Sequence, residues 1–131
     1  MEAIQHEDNY DKYKTAEEYV NAMQDEGYEV VLPAWDTLQI DIDSSYYEEK
    51  FREHWEAVVK RNIPDAKIIS ETVSKSGVGK HITVQMPFQM LDLERIAWQA
   101  ALGSDLVRET LALIRHRNFD FPCTLFVEKK Q

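Results

Sequence analysis

The chain has one cysteine, Cys123, only four glycines and four prolines among its 131 residues, and no apolar run that approaches the length of a membrane span. Each shortage excludes something. A single thiol makes no internal disulfide and gives a metal no thiolate pair, which points to a reducing compartment. The polar, acidic start from Met1 to Lys14 has no apolar centre of the kind a secretory signal needs, so a cytoplasmic setting with no membrane partner is expected. Basic residues are scarce as well: 15 Lys and Arg stand against 24 Asp and Glu, a formal charge of −9. Such a chain lacks the broad cationic surface that releases counterions from DNA, so any nucleic-acid contact must be local or bridged by a metal. The length allows one core and is too short for two ordinary domains.

Residues 1–14 read as a flexible acidic arm, and 15–131 as a single domain. Thr15 with Glu18 fits a capping box, and Tyr19, Val20 and Met23 recur at helical spacing until Gly27. Tyr28 to Leu32 reads as a strand stopped by Pro33. Asp36 to Asp43 alternates strictly: Leu38, Ile40 and Ile42 face one way, Gln39, Asp41 and Asp43 the other. Ser44 or Ser45 then caps a helix with the apolar stripe Tyr47, Phe51, Trp55, Val58 and Val59, ending at Ile63-Pro64. Ala66 to Val73 and Lys80 to Met86 read as a hairpin joined by a glycine turn. A helix from Leu91 to Leu102, a second from Ser104 to about Arg117, and a strand from Phe121 to Glu128 complete the chain.

From residue 36 onward this is strand, helix, strand, strand, helix pair, strand: the βαββαβ order of a ferredoxin-like, RRM-like palm in an α+β domain, preceded by a helix and a strand. Right-handed crossovers would place its four strands in spatial order four, one, three, two. The end of the first strand (Asp41, Asp43) would then lie beside the starts of the third (His81) and the fourth (Asp120). If the apolar faces pack on helices, all four polar residues share the open face. Two carboxylates at i and i+2 with a third acid across a strand suit oxygen-ligated Mg²⁺ or Mn²⁺. The turn Ser76-Gly77-Val78-Gly79 can offer backbone amides to a phosphate. Plainer readings exist for each part: a solvated strand edge, a tight turn, a surface histidine, a loop acid.

The pair Ile40-Asp41-Ile42-Asp43, followed by Ser76-Gly77-Val78-Gly79-Lys80-His81-Ile82, resembles two motifs of the archaeo-eukaryotic primase superfamily, over residues 36 to 86. The resemblance implies a primase-like palm in which Asp41 and Asp43 bind metal and His81 contacts the phosphate of an incoming nucleotide. Ser76, Gly77, Gly79, Lys80 and His81 would form the nucleotide-binding set. The family's third acid has no clean match; Asp120 is the candidate, with Glu128 behind it. The implied activity is nucleotidyl transfer with Mg²⁺ or Mn²⁺, a nucleoside triphosphate and single-stranded or primed nucleic acid, as in phage or plasmid DNA replication by a reduced or repurposed member. The alternative is a non-catalytic acidic module that binds a protein partner, as a viral inhibitor or nucleic-acid mimic.

Three further features have ordinary explanations. Arg108, Arg115, His116 and Arg117 lie toward the end of a helix, where positive charge complements the dipole as well as it would meet a nucleic-acid backbone. Trp35, Trp55 and Trp98 sit in or beside apolar stripes and read as core. His6, Glu7, Asp8 and Asp11 read as part of the solvated arm.

Overall fold

A computed structural model describes residues 16–74, 77–118, 124 and 126–129. Helix α1 (Ala16–Asp25) leads into strand β1 (Tyr28–Val31); β2 (Thr37–Ile42) is followed by helix α2 (Ser45–His54), whose last turns are a π-helical segment (Trp55–Val59) and a short α-helical close (Lys60–Asn62). Then come β3 (Lys67–Val73), β4 (Lys80–Gln85), helices α3 (Asp92–Ala101) and α4 (Leu106–Asn118), and β5 (Phe126–Lys129). The fold is α+β, with two small antiparallel sheets. Among the described residues no helix is long and apolar enough to cross a membrane.

The larger sheet has the order β2-β4-β3, with Asp41 opposite His81 and Ile40 opposite Ile82. Its even-numbered positions, Leu38, Ile40, Ile42, Ile82 and Val84, are buried in one cluster with Phe51, Trp55 and Val59 of α2 and with Leu102, which follows α3. Phe51, Trp55 and Val59 are four residues apart. In an α-helix that spacing drifts around the axis by roughly 40° per step, and the wider π turn absorbs the drift, so all three meet the sheet. Ser44 occupies the N-cap position of α2 in extended backbone but makes no side-chain capping bond. At the start of α4 that role belongs to Asp105, which accepts from the Val107 amide, and not to Ser104 as the sequence suggested.

The expected four-strand order is not what the described residues form. Three of its strands keep their places. The last, β5, pairs with β1 in a two-stranded ribbon, from Tyr28 opposite Lys129 to Val31 opposite Phe126. Residues 119–123 and 125, including most of the expected strand, lie outside the described set. The physical reason is visible at the outer edge of β2, where the fourth strand would bond. Those backbone groups already have partners: Gln39 N–H donates to Gln99 Oε1 (2.8 Å), Asp41 N–H donates to Ser104 Oγ (3.0 Å), and Asp41 C=O accepts from the Asp105 amide (2.8 Å). Arg95 donates to Thr37 C=O (3.0 Å) and Arg108 to Gln39 C=O. Side chains of α3 and α4, with Ser104 and the Asp105 amide of the turn between them, thus satisfy an edge that a strand would otherwise occupy.

The ribbon crosses the polar face of the larger sheet instead. Phe126 and Glu128 face His81, Val127 packs with Tyr19 and Met23 of α1, and Gln39 Nε2 donates to Val31 C=O (2.8 Å). The face read as open is therefore covered along part of its width. Strand β3 forms the other border and carries a bulge at Ile69, which is half exposed. Trp55 is buried and Trp98 packs against the core, but Trp35 is 63% exposed, against the core role expected of it.

Candidate functional site: an aspartate and histidine pair beneath a two-stranded ribbon

Asp41 and His81 are register partners on β2 and β4, and His81 Nε2 lies 3.7 Å from Asp41 Oδ1. Strand phase predicts this convergence but not the supports around it. His81 is 6% exposed, its ring stacks on Phe126 with centroids 3.9 Å apart and planes 3° from parallel, and the Arg108 guanidinium lies 5.1 Å from the Phe126 ring centre. His81 Nδ1 meets Glu128 Oε2 at 3.1 Å, and the same carboxylate oxygen accepts from Thr72, the residue opposite His81 on β3. A carboxylate only accepts, so Nδ1 carries the hydrogen in this bond. Burial pushes the His81 pKa down; the Glu128 contact opposes that shift without reversing it, and Arg108 reinforces it.

Asp41 is fixed from behind. Ser104, which accepts from its amide, donates to Glu109 Oε2 (2.7 Å); Glu109 also accepts from Arg108 (2.8 Å) and from Gln99 (2.9 Å). Gln99, Ser104, Arg108 and Glu109 are all buried. Arg108 therefore neither reaches toward nucleic acid nor complements a helix terminus; it is half of an interior ion pair. Arg115 is buried too, while His116 and Arg117 are exposed in the last turn of α4, where the dipole accounts for them. The sequence signal for this cluster is an adjacent Arg108-Glu109 pair in the first turn of one helix, with Gln99 in the last turn of the helix before it.

The glycine turn does something other than cradle a phosphate. The Gly77 amide donates to Ser74 C=O (2.9 Å) and the Gly79 amide to Ser74 Oγ (3.2 Å), so both are used by the turn itself. Gly77 has φ 79°, the left-handed conformation that glycine adopts without strain. Gly79 is needed for a different reason: a Cβ there would lie 3.1 Å from the Ile42 carbonyl carbon, 3.3 Å from Asp43 Cα, and inside any permitted contact with the Ile42 oxygen. Ser76 lies outside the described residues.

Lys80 does not join the site. Strand alternation places it on the helix side, where it pairs with Glu48 (3.0 Å) and Glu71 (3.8 Å), two acids that Arg52 also holds (3.2 and 2.6 Å). Hydrogen bonds from Lys80 and Arg52 draw the Glu48 pKa below its ordinary value, and that from Arg52 does the same for Glu71. Asp43 is exposed, one residue beyond β2, and Asp120 lies outside the described residues. The late acid that does reach His81 is Glu128. Among the described residues no group of three or more His, Cys, Asp or Glu side chains is arranged to enclose a metal ion. A shallow cleft of about 430 Å³ opens elsewhere, at the far ends of the same strands, lined by Asp36, Asp65, Lys67, Gln85 and Phe88. No protein-family model, no curated protein and no solved structure matches this chain.

Proposed function

We propose that the chain is a reduced, primase-like domain that binds a divalent cation together with the phosphates of a nucleotide or polynucleotide, with nucleotidyl transfer as its reaction, in the cytoplasm. The single observation that carries this reading is the pairing of Asp41 with His81 at 3.7 Å on adjacent strands, both backed by buried supports. Mg²⁺ and Mn²⁺ bind through one or two carboxylates and complete their shells with water and substrate phosphates, so Asp41 with the neighbouring Asp43 is a sufficient protein share. Asp120 remains the candidate for a further acid. Glu128, already engaged by Thr72 and His81, is better suited to hold the imidazole than to ligate directly.

The test is thermal unfolding with a nucleoside triphosphate, with and without Mn²⁺. A ligand bound only by the native state at a hundred times its Kd stabilises by about 2.7 kcal/mol. A rise in Tm that needs Mn²⁺ and disappears in Asp41→Ala and His81→Ala supports the reading; no rise in the unaltered chain ends it. A second reading, an acidic module that docks on a protein partner without catalysis, draws support from the ribbon over the polar face and from the turn amides already spent on Ser74. It expects no response to nucleotide.

A further inference from the structure

Helix α4 is turned inside out. Its charged residues Arg108, Glu109 and Arg115 are buried with Ala112, while Leu106 (65% exposed), Leu113 and Ile114 (46% each) face solvent. A helix lying on a core ordinarily does the reverse. Here the inward charges are taken up by the border of β2 and by the bonds among Ser104, Arg108 and Glu109, and the aliphatic residues are left outside. Leu106, Thr110, Leu113 and Arg117 follow one another at spacings of four, three and four, the seam of a helix that packs lengthwise on another helix. Val107 and Ile114 flank that seam. Thr110, its one uncharged polar member, donates its hydroxyl hydrogen to the Leu106 carbonyl (2.7 Å), so a covering surface need not supply an acceptor. A contiguous exposed apolar stripe of this kind marks an interaction surface.

The ends of the helix say what covers it. Two copies of α4 laid antiparallel about a two-fold axis between Thr110 and Leu113 set Thr110 against Leu113 of the second copy and Val107 beside its Ile114. The same register lays Arg117, exposed in the last turn, over Leu106 of the second copy and next to its Asp105. Asp105 accepts from the Val107 amide with one carboxylate oxygen, and a carboxylate accepts at both. A parallel pair would instead set Arg117 against Arg117. We infer that the outer face of α4 is a self-association surface, covered in solution by the same face of a second copy of this chain running antiparallel. The rival surface, the outer edge of β3, is blunted by the bulge at Ile69 and by Lys67. The inference stands apart from the nucleotide reading, because the side of α4 that backs Asp41, through Glu109 and Ser104, is the buried one. A few aliphatic side chains per copy make a small interface, so the dimer belongs to the weak, reversible class.

The experiment is sedimentation velocity of the full chain over concentrations from about 1 µM to about 1 mM, the span of weak specific association. The sedimentation coefficient should rise with concentration toward that of a dimer. Leu113→Asp should leave a monomer with an unchanged circular dichroism spectrum, because association would bury its carboxylate in the seam. Arg117→Glu should raise the dissociation constant about 2- to 30-fold, the loss of two exposed ion pairs by symmetry. Ile69→Asp, on the rival edge, should dissociate like the unaltered chain. A monomer at every concentration overturns the inference, as does a dimer that survives Leu113→Asp or one that Ile69→Asp abolishes. A dissociation constant unmoved or lowered by Arg117→Glu overturns it too, since the copies then do not run antiparallel. Should Leu113→Asp fail to fold, Leu106→Gln decides in its place: it must weaken the dimer, and an unchanged dissociation constant refutes the surface.

Discussion

Gly79→Ala is the substitution that best separates packing from phosphate binding at the glycine turn. The added methyl would meet backbone, 3.1 Å from Ile42 C and 3.3 Å from Asp43 Cα, with the Ile42 carbonyl oxygen closer still. Backbone held in a paired strand does not step aside as a flexible side chain would. Either the turn rises off β2, breaking the Ile42 and Lys80 pair, or the end of β2 shifts with Asp43. Overpacking of this kind costs typically about 1–3 kcal/mol, and rigid atoms on both sides put it at the upper end. At Gly77 an added methyl meets open space, and only the φ of 79° resists it, a penalty of about 1–2 kcal/mol. Urea unfolding of both variants measures the difference, and Gly79→Ala should be the less stable. If it instead unfolds within about 0.5 kcal/mol of the unaltered chain, the range of an ordinary surface change, the close approach does not hold in solution and the argument for this glycine fails.

Two further outcomes follow from the charges. Arg108→Met removes the charged partner of a buried carboxylate and leaves Glu109, among the described residues, with Ser104 and Gln99. The expected loss is about 3–5 kcal/mol by chemical denaturation, and a loss under about 1 kcal/mol would mean that water reaches the pair. Glu48 and Glu71 have folded pKa values below the unfolded carboxylate value of about 4.3, so their contribution is present above that pH and is lost as pH falls through the folded values. Because these groups are partly exposed and screened, the contribution is under about 1 kcal/mol, and the acid limb of a stability profile should flatten slightly in Lys80→Ala.

The parts of the fold legible in the sequence are those governed by periodicity. Leu38, Ile40 and Ile42 alternate with Gln39 and Asp41, and Ile82 and Val84 with His81 and Thr83, so strand phase alone brings Asp41 and His81 to one face. The same parity places Lys80 on the other face, although the motif reading grouped it with His81. What periodicity does not encode is who satisfies an edge. Gln99, Ser104 and Arg108 read as ordinary helix and cap residues, and nothing local says that they bond β2 and free β5 to pair with β1. Gly79 was legible as a glycine but not as a contact, since the carbonyl it accommodates is 37 positions earlier in the chain. The acid beside His81 is Glu128, which the sequence places behind Asp120 as a third acid, because nothing local encodes the ribbon that delivers it.

The outer border of β2 is closed by four side chains and the single amide of Asp105, not by another strand. A strand as neighbour tolerates almost any sequence, because its own amides and carbonyls do the bonding. Here a single apolar replacement at Gln99 or Ser104 would uncover one main-chain donor on that border. Protection of that border against a pairing strand is thus shared among a few named side chains.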